Sequence, residues 1–318
     1  MTTAPRSEET AAVATLAHPV LGALTAWLVG NRVGESPVWH RGQHALYWID
    51  VRAQQVLRLC PDSNRVVRWA LPDVVGAMAL RGQDSCWLAL RHALVQMDLH
   101  TGRLEPVCAV EPGIAGNRLN EGKASPSGRW FVFGSMDDRP EKERTGSLYR
   151  ADSQGRVTQL VDGLVVANGI AWSPDGGHIY FSDSWRGLLM HASWDEATGD
   201  MGSPRQLATL DEARGRPDGA CVTADGDYWS AGVSAGVLNR FDARGERVGS
   251  IALPCRAPTM CAFGGARAQT MFVTSLVRPQ WAAPGPLDGA LLSFAAPAPG
   301  VLQADLSGNP AEIEERHS

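Results

Sequence analysis

The pattern of apolar and polar positions has one recurring unit. A short polar entry leads into a small-residue strand, a Gly-rich or Asp-Gly turn, an aromatic-rich strand and a third apolar strand. The unit begins at Gly34-Glu-Ser-Pro-Val-Trp39, with Ala45-Leu-Tyr-Trp-Ile49 and Gln55-Val-Leu-Arg-Leu59. It returns at Gly76-Ala-Met-Ala-Leu80, Asn120-Glu-Gly-Lys123, Asn168-Gly-Ile-Ala-Trp172, Asp218-Gly-Ala-Cys-Val222 and Pro258-Thr-Met-Cys-Ala-Phe263. Short alternating or fully apolar runs bounded by turn residues predict strands. With Glu35, Val75, Glu121, Asn168, Asp218 and Thr259 as equivalent entries, the steps are 40, 46, 47, 50 and 41 residues. Self-similarity at that period, several strands per unit, is the signature of propeller blades.

The predicted fold is therefore all-β, a six-bladed β-propeller. The sixth repeat shows only three strands, and Leu24-Thr-Ala-Trp-Leu-Val29 ahead of the first repeat supplies its fourth. Such ring closure between the N-terminal strand and the last blade removes exposed sheet edges. The expected organisation is a loose N-terminal tail over 1–18, a single propeller domain over 19–296 and a loose C-terminal tail over 297–318.

Composition supports this reading. Among 318 residues, 34 Gly, 20 Pro and 11 Trp supply turns and strand aromatics rather than helices. A formal net charge of −5 gives no cationic field to recruit nucleic acid or an anionic membrane. The apolar stretch from Ala11 to Gly30 is broken by Pro19 and follows a leader bearing Arg6 against Glu8 and Glu9, which fits neither a secretory leader nor a spanning helix. Six scattered cysteines without a CxxC pair, and no Asn-x-Ser/Thr acceptor, point to buried thiols and a cytoplasmic location.

The polar entries carry the candidate chemistry. Innermost propeller strands face a common axis, so Glu35, Glu121, Asn168 and Asp218 converge there. Three carboxylates and an amide across a narrow channel repel one another without a cation, and oxygen ligands suit a hard divalent ion such as Ca²⁺, Mg²⁺ or Mn²⁺. Taken singly, Asn168-Gly169 and Asp218-Gly219 also read as turn dipeptides; their shared phase in the repeats favours the channel. Gly232-Val-Ser234-Ala-Gly236 fits the G-x-S-x-G pattern of a serine hydrolase, but that motif needs a following helix, and Val237-Leu-Asn-Arg-Phe241 reads as a strand. A hairpin loop is the natural assignment.

These motifs, together with Arg118-Leu-Asn-Glu-Gly-Lys123, Ser125-Pro-Ser-Gly-Arg129 and Pro217-Asp-Gly219, resemble the gluconolactonase/regucalcin (senescence marker protein) family over roughly Leu24 to Phe294. The resemblance implies a six-bladed propeller that hydrolyses sugar lactones with one divalent metal ion, Ca²⁺ or Zn²⁺, with Mg²⁺ or Mn²⁺ as further candidates. It implies Glu35, Asn168 and Asp218 as metal ligands, Asp218 also as general base, and Arg118, Asn120 and Glu121 at the substrate. The expected partner is a small-molecule sugar lactone such as gluconolactone, and the expected assembly a monomer or weak dimer. Two positions depart from the family's habit: Glu121 stands where Asp is usual, and Ala167 where Pro is common. Asp137 and Asp138 lie near enough in sequence to be further candidates at the sugar. A different class remains open beside this one: a non-catalytic, calcium-binding propeller, or a hydrolase of another lactone or ester.

Overall fold

Six innermost strands, Gly34–His40, Val75–Arg81, Asn117–Ala124, Ala167–Trp172, Pro217–Val222 and Pro258–Gly264, surround one axis in the computed structural model, which describes residues 2–307. Each begins an antiparallel meander directed outward, and these sheets are blades 1 to 6 of a β-propeller. Blade 1, for instance, continues through Ala45–Asp50, Gln55–Cys60 and Arg65–Ala70. No helix forms among the described residues.

The strands are buried on both faces because each blade packs against two neighbours. Ala45–Asp50 and Ala167–Trp172 expose no residue. Each junction between blades holds its own apolar cluster. Tyr47 and Ile49 meet Met78 and Leu88 between blades 1 and 2; Trp27 and Phe272 meet Trp39 and Trp48 between blades 6 and 1. A fully buried ring such as Trp48 or Trp87 contributes on the order of 4 kcal/mol of burial. The cycle of clusters closes the ring without a gap.

Closure is made as expected. Gly22–Trp27 pairs antiparallel with Leu291–Ala295, placing Trp27 opposite Leu291 and Leu24 opposite Phe294, and so completes blade 6. Gly232–Gly236 is the turn of a hairpin between Tyr228–Gly232 and Val237–Phe241, as the strand after it requires.

The N-terminal residues correct the expected domain limits. Thr2–Thr3, Arg6–Thr10 and Val13–His18 are not a loose tail but edge strands, added in turn to blades 2, 1 and 6. Each covers a row of unpaired backbone groups on an outermost strand. Arg6–Thr10 is wholly exposed and has no apolar face to announce it; backbone pairing and the Glu9–Arg68 contact at 2.7 Å hold it.

At the other terminus, residues 299–307 cross one end of the channel instead of hanging free. Val301 N–H donates to Val222 O at 3.0 Å, and Leu306 N–H to Leu80 O at 2.7 Å. With Val38, Lys123, Ala171 and Ala262 this strap encloses a cavity of about 260 Å³. The rest of the expected C-terminal tail, residues 308–318, lies outside the described residues.

All six inner strands share one irregularity. The pairing slips between Glu35 and Val38, between Asn120 and Gly122, between Asn168 and Ala171, between Pro217 and Ala220 and between Pro258 and Met260, and beside Val75 in blade 2. A bulge re-aims the side chains next to it. Ser36 and Gly169 take positive φ values of 50° and 66° at two of these bulges; Gly169 needs its missing Cβ, which would lie 2.5 Å from the Tyr228 hydroxyl.

Candidate metal and substrate site

The bulges bring the predicted polar entries to one end of the channel, opposite the strap. A hydrogen-bonded chain joins them across three blades. Arg118 Nη1 donates to Asn120 Oδ1 at 2.7 Å, Asn120 Nδ2 to Asn168 Oδ1 at 2.7 Å, and Asn168 Nδ2 to Asp218 Oδ1 at 2.6 Å. Asn120 Nδ2 also reaches the Ala167 carbonyl at 2.9 Å, so the residue before Asn168 contributes through its backbone. Arg118 spends Nη1 on Asn120 and on Leu119 O and Nε on Asp138; its Nη2 has no hydrogen bond among the described residues.

Glu35 is buried, and its Oε2 has no hydrogen-bond partner among the described residues. Burial, then the neighbouring charges of Asp218 and Glu121, push its carboxyl well above the usual carboxylate range. The same two causes, burial first and Glu121 second, raise Asp218 to about 8 against the pull of Arg216, Arg278 and Arg118. Buried carboxylates that repel each other, one with an orphaned oxygen, cost free energy unless a cation joins them. The donor set is two carboxylates and an amide oxygen, with no thiol or imidazole, and this fits a hard divalent ion. Among the described residues there is no group of three or more His, Cys, Asp or Glu gathered as for a metal; the third oxygen near Glu35 and Asp218 belongs to an amide, Asn168.

Glu121, expected at the substrate, is bonded to the backbone of the neighbouring blade. Its Oε2 accepts the Gly169 N–H at 2.6 Å and its Oε1 the Ile170 N–H at 2.8 Å. Each oxygen thus accepts one N–H of the neighbouring blade and holds the bulge that presents Asn168. Burial raises its carboxyl to about 7, opposed by Lys123 and the two N–H groups.

Of the two further acids, Asp137 turns away: fully buried, it accepts from the Arg139 guanidinium and from the Arg139 and Glu143 N–H groups, which hold it well below the usual range. Asp138 faces the site and pairs with Arg118 at 3.2 Å, Arg52 at 2.5 Å and Arg91 at 3.7 Å.

Some site residues escaped sequence reasoning. Ser184 Oγ accepts from Asn168 Nδ2 at 2.8 Å, and Tyr228 O–H donates to Gly169 O at 2.8 Å. Asp183 reads from sequence as a turn cap that could also line the channel, and it accepts the Val165 and Val166 N–H groups; Asp50 and Asp137 take the equivalent position, ending the second strands of blades 1 and 3. That shared phase was a signal available in the sequence.

A six-bladed propeller with this acidic, amide- and arginine-bearing channel mouth belongs with the sugar-lactonase class. The chain is a member of the family described as SMP-30/Gluconolactonase/LRE-like region, which matches residues 33–277. It is 34% identical over 281 residues to a 6-deoxy-6-sulfogluconolactonase of Pseudomonas putida, covering 87% of this chain and 95% of that one. It is 30% identical over 251 residues to an L-arabinolactonase of Azospirillum brasilense, covering 78% and 83%. Among solved structures it resembles a calcium-binding protein, regucalcin, from Agrobacterium tumefaciens, with a TM-score of 0.82 at 27% identity, covering 87% and 95%.

Proposed function

We propose that this protein hydrolyses a sugar lactone of the aldonolactone type, such as gluconolactone, to the aldonic acid, using one divalent cation held by Glu35, Asn168 and Asp218. The observation that carries this reading is the pairing of an orphaned, buried Glu35 oxygen with the Arg118–Asn120–Asn168–Asp218 chain at one channel mouth. Lactonase relatives from two bacteria support the reaction class. The calcium-binding structural relative supports the cation.

Bound at these oxygens, such a cation supplies Lewis-acid polarisation of the lactone carbonyl and an acidified water. The side chains supply the rest. Asp218 keeps one carboxylate oxygen beyond its bond to Asn168 and takes a proton from water as the water oxygen bonds to the carbonyl carbon. The ring C–O bond then breaks, and the departing alkoxide recovers the proton from Asp218. General-base assistance of this kind is worth about 100- to 10,000-fold. Arg118 offers its uncommitted Nη2 donors to lactone oxygens from a fixed plane. Asn120 holds both Arg118 and Asn168 in register, and Glu121 fixes the bulge beneath them.

The test is acid release at constant pH from a panel of sugar lactones, with chelated protein before and after addition of Ca²⁺, Zn²⁺, Mn²⁺ or Mg²⁺. Release well above spontaneous hydrolysis, only with metal, is the expected result. Spontaneous rates for every lactone with metal demonstrably bound would favour a calcium-binding propeller or another ester substrate.

A further inference from the structure

The strap at the far end of the channel covers a cavity that the reaction above does not use. Two anchors hold it. On one side Gly300 N–H donates to Ala268 O and Val301 N–H to Val222 O, each at 3.0 Å; on the other Leu306 N–H donates to Leu80 O at 2.7 Å and Ser307 N–H to Gly128 O at 2.8 Å. Between these anchors Leu302, Gln303 and Ala304 make no backbone-to-backbone hydrogen bond among the described residues, and all three line the cavity. Val222 and Ala262, on the inner strands of blades 5 and 6, and the rings of Trp39, Trp172 and Phe263 form much of the remaining wall. At roughly 30 Å³ per water, the enclosed volume of about 260 Å³ equals about nine waters, the bulk of a ligand of about nine or ten non-hydrogen atoms.

The polar groups of this wall are donors. Lys123 is only 7% exposed; its Nζ donates to the Ala220 carbonyl of blade 5, and it has no ion-pair partner among the described residues. An ammonium group carries three protons, so two are left to give. Gln303 Nε2 and Trp172 Nε1 are buried N–H groups with no hydrogen-bond partner among the described residues. No aspartate or glutamate lines the cavity. Two thiols do, Cys221 and Cys261, 3.3 Å apart; burial, then that contact, pushes the Cys221 thiol well above its usual range, so it brings no negative charge. Glu121, two residues before Lys123, is bonded to the Gly169 and Ile170 N–H groups and reaches the ammonium only through its field. A buried cation and buried N–H groups without acceptors are costly. A carboxylate answers both, with one negative charge and about four lone-pair sites on two oxygens. Three aromatic rings in the wall suit a flat, apolar body behind it.

We propose that the cavity under the strap is a binding site for a small aromatic monocarboxylate, whose carboxylate pairs with Lys123, with the Gln303 amide as a further donor, and whose ring packs against Trp39, Trp172 and Phe263. The site lies at the opposite end of the channel from Glu35 and Asp218, shares no residue with the lactone site, and stands whether or not the lactonase reading does.

The test is calorimetry on the full chain with benzoate, phenylacetate and the uncharged benzyl alcohol, in the presence of chelator so that no metal at the channel mouth takes the carboxylate. Benzoate and phenylacetate should each bind at one site with a Kd of roughly 0.1–1 mM, and benzyl alcohol at least about tenfold more weakly. Lys123→Met removes the charge at similar length and should weaken both acids by about tenfold or more. Gln303→Leu should weaken them by about threefold, and Ala304→Trp, which fills the space from the strap, should abolish binding. These two strap positions carry no backbone-to-backbone bond, so they keep the test open if Lys123→Met fails to fold. Arg118→Gln, at the other end of the channel, should leave both affinities unchanged. Three results would overturn the site: no binding of either acid at about 10 mM, equal affinity for benzoate and benzyl alcohol, or acid binding that survives both strap variants and is lost in Arg118→Gln.

Discussion

Replacing Glu121 by Gln separates the cost of a buried carboxylate from its use. Glutamine is the non-titrating counterpart of the neutral acid, with the same length and one acceptor for the two N–H groups of Gly169 and Ile170. The folded carboxyl titrates at about 7, against an ordinary 4.5, chiefly because of burial. A raised acid contributes stability that is complete below its unfolded value and lost as pH climbs through its folded value. The wild type therefore weakens between about pH 4.5 and about pH 7.5 by this contribution, and the variant loses only what Glu35 and Asp218 still contribute. A shift of about 2.5 units corresponds to about 3 kcal/mol at the alkaline limit. Urea unfolding of chelated protein at several pH values measures it. The variant should match the wild type near pH 5 and be more stable by about 2–3 kcal/mol near pH 8.5. Turnover should move the other way, because a clamp with one acceptor in place of two leaves the Asn168 bulge looser. A stability difference that does not change with pH refutes the buried-carboxylate account. A raised KM at unchanged stability throughout would return Glu121 to the substrate.

Other outcomes follow from the same geometry. Asp218→Ala should abolish turnover with little change in the far-ultraviolet spectrum, and a fully active variant would remove the general base. Glu35→Ala should weaken metal binding, read by calorimetry; an unaltered titration would sink the ligand assignment. In the wild type, Ca²⁺ at about 100 times its Kd should raise folding stability by about 2.7 kcal/mol, measured by denaturant unfolding. Tyr228→Phe deletes one buried bond to the Gly169 carbonyl and should cost about 1 kcal/mol in denaturant unfolding.

Blade number and the convergence of Glu35, Asn168 and Asp218 were legible because a repeat of 40–50 residues states a symmetry, and symmetry sends equivalent positions to the axis. The closing strand was legible for a similar reason: blade 6 lacked one strand, and Gly22–Trp27 has the apolar alternation to fill it. Arg6–Thr10 was not, because an edge strand bonds through its backbone and leaves no periodic apolar face. The strap over 299–307 was equally hidden, since its burial comes from crossing a channel mouth rather than from packing in a sheet. Glu121 shows a finer limit. Phase predicts that a side chain points to the axis; it does not predict that the bulge in the next blade presents two N–H groups at the right distance to capture it.

That capture explains how a ring of repelling acids folds at all. Glu35, Glu121 and Asp218 all resist ionisation, and each resists for the same first reason, burial. The fold meets the cost unequally. Glu121 receives two backbone donors and the field of Lys123; Asp218 receives one amide donor and the fields of three arginines. Glu35 is left with an oxygen unbonded. Stability alone would select apolar residues here, as Val75 stands at the equivalent place in blade 2. The proposed cation would explain Glu35 and Asp218, and the least satisfied carboxylate, Glu35, is the residue on which it would have most to gain.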